Sequence, residues 1–195
     1  MIVAITGGIG SGKSYVCRLL QQRGVQVYDC DAAAKRLMRT SVELQRKISE
    51  LVGEDVFPEG QLQKSLLAQF LLRSGQNAQA LDSLVHPAVA ADFLSSGLQW
   101  VETAILFESR FDRRVQPDHV VCVTAPVEVR LSRVMSRDHI TREKAQEWMR
   151  RQLPQDEVRA QSDFEIVNDG VLPFEAQVDA VLKAIYSKET KQKQK

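Results

Sequence analysis

Lys13 and Ser14 close the run Gly7-Gly8-Ile9-Gly10-Ser11-Gly12-Lys13-Ser14, a lysine and a hydroxyl behind a glycine-rich stretch. The spacing is that of a phosphate-binding loop, G-x-x-x-x-G-K-[ST], in which backbone N–H groups surround an anion, the lysine reaches the outer phosphate oxygens and the hydroxyl serves a bridging magnesium ion. Gly8, Gly10, Ser11 and Gly12 are therefore the expected cradle for a nucleoside triphosphate, Lys13 its mobile cation and Ser14 a metal ligand. Farther along, Asp29 and Asp31 offer carboxylates, Glu102 ends an apolar segment, and Arg137 and Arg142 lie in a basic stretch. A positioned carboxylate that accepts a proton and guanidinium forks that hold phosphate oxygens are groups that phosphoryl transfer can use.

These residues need elements to aim them. The apolar run Ile2-Val3-Ala4-Ile5 before the loop and a helix predicted over Tyr15 to Arg23 after it give strand, loop and helix, so the helix dipole and its first N–H groups point at the anion. Asp29 and Asp31 close the segment Val27-Tyr28-Asp29-Cys30-Asp31, and in open parallel sheets the site lies beyond the carboxyl ends of the strands. Alternation along an extended segment would aim both carboxylates the same way. Asp31 also opens the helical run Asp-Ala-Ala-Ala-Lys, so it has a second reading as an N-cap; the two roles are compatible.

Apolar, β-branched segments recur at Ile2 to Thr6, Val25 to Asp29, Leu98 to Glu102, His119 to Thr124 and Phe164 to Asn168, separated by helical patterns. This alternation predicts a five-stranded parallel sheet covered by helices. Between the second and third strands, helical spacing appears over Ala32 to Met38, Val42 to Val52, Leu62 to Leu72 and Pro87 to Phe93, with turn signals at Gly53, Pro58-Glu59-Gly60 and Ser74-Gly75. An insertion of roughly 65 residues exceeds a simple crossover and predicts a helical lobe. A second insertion, Pro126 to Ser162, reads as helix, turn, helix, and in it basic residues outnumber acidic ones. The lysine- and glutamine-rich tail, Lys188 to Lys195, is expected to fray.

Net charge is +1, from 26 basic and 25 acidic residues, which argues against a surface built for nucleic acid. Cys17, Cys30 and Cys122 show no metal-ligand spacing and suit reduced thiols. With no leader or run of about 18 apolar residues, the expectation is a cytoplasmic protein without membrane attachment. No Asp has a Gly three residues later and no Asn-Lys-x-Asp occurs, so the switch and guanine-reading elements of a GTPase are missing. Two insertions beside a phosphate site suit transfer to a second bound substrate shielded from water. A kinase for one of several acceptors and a non-catalytic ATP-binding module both remain open on these residues, although a mere binder has no need of Asp31 and Arg137.

The loop, Asp29-Cys30-Asp31, Val85-His86-Pro87, Ile105-Leu106-Phe107-Glu108, Arg137-Asp138, Thr141-Arg142-Glu143 and Gln152 stand in an order and spacing that resembles the dephospho-coenzyme A kinases, from Ile2 to about Gly170. The resemblance implies an α/β P-loop NTPase fold of the nucleoside-monophosphate-kinase type: a nucleotide-binding core over 1–30, 98–125 and 162–188, a helical substrate domain over 31–97, a lid over 126–161 and a disordered tail over 189–195. It implies ATP-dependent phosphorylation of the ribose 3′-hydroxyl of dephospho-coenzyme A, with ATP, magnesium and that acceptor as small-molecule partners of a monomer or small homo-oligomer. It carries the general-base role to Asp31, an orienting role to Asp29 and the Walker B acid to Glu102, with magnesium held directly or through water. Lys13 and Arg137 join Asp31 in transfer, Tyr15, Arg142 and Asn168 join the loop in nucleotide binding, and His86 and Glu108 join Asp29 on the substrate side. Arg130, Arg133, Arg150 and Arg151 are expected on a solvated helix face. Ala104 stands where the family often has proline, and Tyr15 where it commonly has threonine.

Overall fold

Every residue of the first strand, β1 (Val3–Thr6), is buried. Its sequence is a continuous apolar run because helices cover both faces of a parallel strand. In the computed structural model, which describes the backbone of residues 1–192 and side chains through residue 187, four more strands follow. They are β2 (Val27–Asp29), β3 (Trp100–Glu102), β4 (His119–Thr124) and β5 (Phe164–Val167), and the five form one parallel sheet in the order β2-β3-β1-β4-β5. The register sets Ile5 opposite both Glu102 and Val121, and Thr124 opposite Val167. All five predicted strands are present. The second starts at Val27 rather than Val25 because Val25 is still engaged in the turn that ends the preceding helix, its N–H donating to Leu20 O at 3.0 Å.

In chain order the helices are α1 (Lys13–Gln22), α2 (Cys30–Thr40), α3 (Val42–Val52), α4 (Lys64–Arg73), α5 (Gly75–Ser95), α6 (Phe111–Val115), α7 (Val127–Asp138), α8 (Arg142–Arg150), α9 (Gln155–Ala160) and α10 (Phe174–Gln192). The chain divides into two compact units, Met1–Val27 with Leu98–Lys195, and Tyr28–Gly97. In the first, Val16, Leu19 and Leu20 of α1 and Val178, Val181 and Ile185 of α10 pack with Val3, Ile5, Val121, Val123 and Ile166 of the sheet. In the second, α2, α3 and α4 all pack on α5. No disulfide joins Cys17, Cys30 or Cys122.

Three expectations change. Pro87, read as a helix start, lies inside α5, which begins at Gly75 with the Ser74 hydroxyl accepting from Gln76 N at 3.1 Å. Burial of Val85, Val89, Ala90 and Phe93 on one side of that helix outweighs the hydrogen bond lost at the proline. The basic insertion holds three helices rather than two, since Pro154 opens α9 as its N-cap. Helix α10 continues to Gln192, within the segment expected to fray; residues 193–195 of that tail lie outside the described residues.

Candidate active site

The chain leaves β1 through Gly7, at φ +143°, and enters α1 through Gly12, at φ +102°, both in backbone territory that favours glycine. Neighbours impose the same choice: a Cβ on Gly7 would press on Val123 O, and one on Gly12 on the Asn168 side-chain amide. Gly12 caps α1 without a side-chain acceptor. The first N–H groups of a helix have no intrahelical partner, so those of Lys13 and Ser14 open onto the loop with the positive end of the dipole. Tyr15 N already closes the first turn on Gly12 O at 2.9 Å. Ser11 is fully buried, and its Oγ has no hydrogen-bond partner among the described residues.

Lys13 is largely buried; its Nζ donates to Gly7 O at 2.8 Å and lies 3.6 Å from Glu102 Oε1. The carboxylate of Glu102, whose side chain is only 16% exposed, is largely withdrawn from solvent. The parallel register that sets Glu102 opposite Ile5 brings it to the loop. The Lys13 ammonium and the Glu102 carboxylate thus stand side by side at the loop.

Two arginines expected on a solvated face lie against the loop instead. Arg130 is buried, and its Nε donates to Ile9 O at 2.9 Å. The Nη1 of Arg133 donates to Gly10 O and Ser11 O, both at 3.3 Å, and its Nη2 to Asn168 Oδ1 at 3.1 Å. Asn168 in turn donates through Nδ2 to Ser11 O at 2.8 Å. From the end of α8, Gln152 Oε1 accepts the Ile9 N–H at 2.7 Å. The sequence marks only a shared face: positions 130, 133 and 137 follow the i, i+3, i+7 spacing of one helix side, so Arg137 belongs to the same row.

The arginines favoured from sequence have other partners. Arg137 lies against its neighbour Asp138, Nη2 to Oδ2 at 2.7 Å, and Arg142 grips Glu128 through both terminal nitrogens, at 2.9 and 2.6 Å. The Asp138 carboxyl is held below its ordinary range chiefly by Arg137, and that of Glu128 chiefly by Arg142. Tyr15 turns to the start of α10, its hydroxyl donating to Glu175 at 2.8 Å and its ring tilted on Phe174. Glu108 accepts from Leu153 N at 2.9 Å, tying the turn after β3 to the chain leaving α8.

In the second unit the structure decides between the two acids at the end of β2. Asp29 is the N-cap of α2, its Oδ1 accepting from Ala32 N at 2.9 Å. Asp31 lies in the first turn of that helix, exposed, and its carboxylate makes no hydrogen bond or ion pair among the described residues. Alternation does not apply, because the helix has already begun at Cys30. His86 lies within α5, with Nε2 3.7 Å from Asp82 Oδ1. Nearby in sequence, the buried Tyr28 donates to Asp92 Oδ2 at 2.5 Å, and Arg36 Nη2 reaches the same oxygen at 2.5 Å.

A loop of N–H donors at a helix start, a buried lysine with one carboxylate and two further arginines against the backbone suit a polyphosphate. Glu102 and the Ser14 hydroxyl suit magnesium, which typically takes one or two protein ligands and completes its shell with phosphate oxygens and water. Among the described residues no cluster of histidine, cysteine and carboxylate side chains offers an all-protein metal site, and no helix is long and apolar enough to cross a membrane.

Residues 1–173 match the family model described as dephospho-CoA kinase. A dephospho-CoA kinase of Bacteroides fragilis (strain YCH46) is 36% identical over 197 residues, covering 95% of this chain and 93% of the relative. A crystal structure from Thermus thermophilus superposes with a TM-score of 0.75 at 30% identity, over 96% of this chain and 97% of that one. A dephospho-CoA kinase from Campylobacter jejuni, 21% identical with a TM-score of 0.67 over 96% of this chain and 98% of its own, shares the fold. The chain belongs to the dephospho-CoA kinase family.

Proposed function

We propose that this chain transfers the γ-phosphoryl group of ATP to the ribose 3′-hydroxyl of dephospho-CoA, giving CoA and ADP. The observation that carries the reading beyond family membership is the buried Lys13 ammonium, held between Gly7 O and Glu102 at the mouth of the glycine loop. Gly8, Gly10, Ser11, Gly12 and the N–H groups of Lys13 and Ser14 hold the phosphates, and Lys13 follows the charge as it moves to the leaving oxygens. Asn168, fixed on Ser11 O and by Arg133, braces the end of the loop. The Ser14 hydroxyl and Glu102, directly or through water, would hold a magnesium ion, and the chemistry it would supply is neutralisation of phosphate charge.

Asp31 accepts the proton of the attacking hydroxyl; its carboxylate suits this because Asp29, not Asp31, serves the helix cap. Asp29 therefore acts by fixing the turn from which Asp31 projects, and His86 and Glu108 line or brace the acceptor side. Arg137 and Arg142 exchange their present carboxylate partners for phosphate oxygens, which the exposed positions of both permit. The protein works in the cytoplasm on small molecules, as a monomer or small homo-oligomer.

A coupled assay of ADP release tests this, comparing dephospho-CoA with AMP and adenosine as acceptors. Turnover should depend on dephospho-CoA and on magnesium. Preference for another acceptor would reassign the substrate, and the absence of acceptor-dependent turnover would remove the kinase reading.

A further inference from the structure

The Arg130 side chain has no carboxylate partner among the described residues, although the residue is only 5% exposed. A guanidinium in such a place remains charged, and burying a charge is costly unless something pairs with it. The burial already lowers its pKa from the ordinary arginine value, the sign expected of an uncompensated cation. The group is also tightly placed. Its Nε holds Ile9 O at 2.9 Å, its Nη2 and Cζ occupy the space a Cβ on Gly8 would take, and the carbonyl of Arg130 itself would lie 2.6 Å from a Cβ on Gly10. The N–H of the same residue is held as well, by Gln152 Oε1 at 2.7 Å. With Lys13 and Arg133, three cations border the loop, and Glu102 is the carboxylate that approaches one of them.

We propose that Arg130 is a positioning residue of the nucleotide site: a fixed cation whose missing counter-charge is the bound polyphosphate, and which acts by holding the Gly8–Ile9 segment in the conformation that receives it. The proposal rests on the reading of the loop as an ATP site. It makes Arg130 different from a prop. A prop contributes to the stability of the protein by itself, whereas a buried cation awaiting an anion costs stability until the anion arrives and then favours binding.

The test uses Arg130→Met, which keeps length and removes charge, and Arg130→Gln, which keeps a donor for Ile9 O and removes charge. Thermal melting of each protein alone and calorimetric titration with MgATP and with inorganic triphosphate are compared with the wild-type chain. The expected result is a melting temperature for Arg130→Met equal to or above wild type, with affinity for both probes reduced about tenfold or more, equivalent to about 1.4 kcal/mol per decade. Arg130→Gln should lose affinity to a similar extent, and the salt dependence of triphosphate binding should flatten in both. In the kinetics, KM for ATP should rise while KM for dephospho-CoA stays near wild type. Wild-type affinity for both probes in either folded variant overturns the proposal and leaves Arg130 a prop; if Arg130→Met does not fold, Arg130→Gln decides by the same comparison. A wild-type protein that binds neither probe would remove the ATP reading itself, an outcome distinct from unchanged variants.

Discussion

Exchanging the two acids after β2 one at a time should separate folding from chemistry. Asp31 is exposed and its carboxylate is unbonded among the described residues, so Asp31→Asn, which preserves shape, should move stability by no more than about 0.5 kcal/mol. As the proton acceptor it should nevertheless lower kcat by about a hundredfold or more, close to 2.7 kcal/mol in the barrier at about 1.36 kcal/mol per decade. Asp29 stands the other way round. Its bond to Ala32 N, 2.9 Å long, satisfies an orphan donor of α2, and Asp29→Ala should cost about 1 kcal/mol. For a chain of this size that is a fall of about 2–4 °C in melting temperature. Asp29→Asn keeps a good capping side chain and should restore that loss, so any activity change it retains belongs to charge rather than to the cap.

Melting curves and ADP release at saturating ATP, measured on the same preparations, read both quantities. Asp31→Asn with near-normal turnover would reduce Asp31 to a first-turn residue. A melting loss in Asp31→Ala as large as that of Asp29→Ala would show that the wrong acid has been assigned to the cap. ATP affinity should survive in all of these variants, because neither acid is called on to hold the loop.

Lys13→Ala should weaken MgATP binding and lower kcat by about a hundredfold, as for removal of a charge aimed at the transferring group; normal kinetics would undo the loop assignment. Gly8→Ala should raise KM for ATP, because the added methyl displaces the Arg130 guanidinium; overpacking of this kind costs about 1–3 kcal/mol. Gly8 is not at positive φ, so an unchanged KM and melting temperature would mean that Arg130 yields freely. Tyr28→Phe tests alkaline stability: burial, then the bond to Asp92, raises the tyrosine above its ordinary value of 10. A raised value in the folded state means stability fully present below the unfolded pKa and lost as pH climbs past it. Urea midpoints of the wild-type chain should therefore fall above pH 10 more steeply than those of Tyr28→Phe, and parallel profiles would refute the contribution.

What the sequence discloses depends on how local the cause is. The five strands are legible because the interior of a parallel sheet leaves near-continuous apolar runs, as in Val120 to Val123. The loop is legible because its function needs a fixed spacing within eight consecutive positions, Gly7 to Ser14. Helix α5 is hidden because the local signal at Pro87 opposes it, and only burial of Val85, Val89 and Phe93 reveals why the helix continues. Asp29 and Asp31 are separated by a single residue, and which of them caps α2 turns on where the helix starts, a boundary that pattern alone does not resolve.

Arg130 and Arg133 show the limit most clearly. Their spacing with position 137 marks a common face, but a row of arginines on a helix looks the same whether water or a backbone lies opposite. Only the packing of α7 against Gly8 and Gly10 turns that row into part of the loop. The glycines consequently answer to two demands at once. On the N–H side they leave room for an anion, and where a Cβ would stand they leave room for Val123, Arg130 and Asn168. A substitution in the loop therefore reports on phosphate binding only after its effect on those three neighbours is known, and the loop motif describes only the first of the two demands.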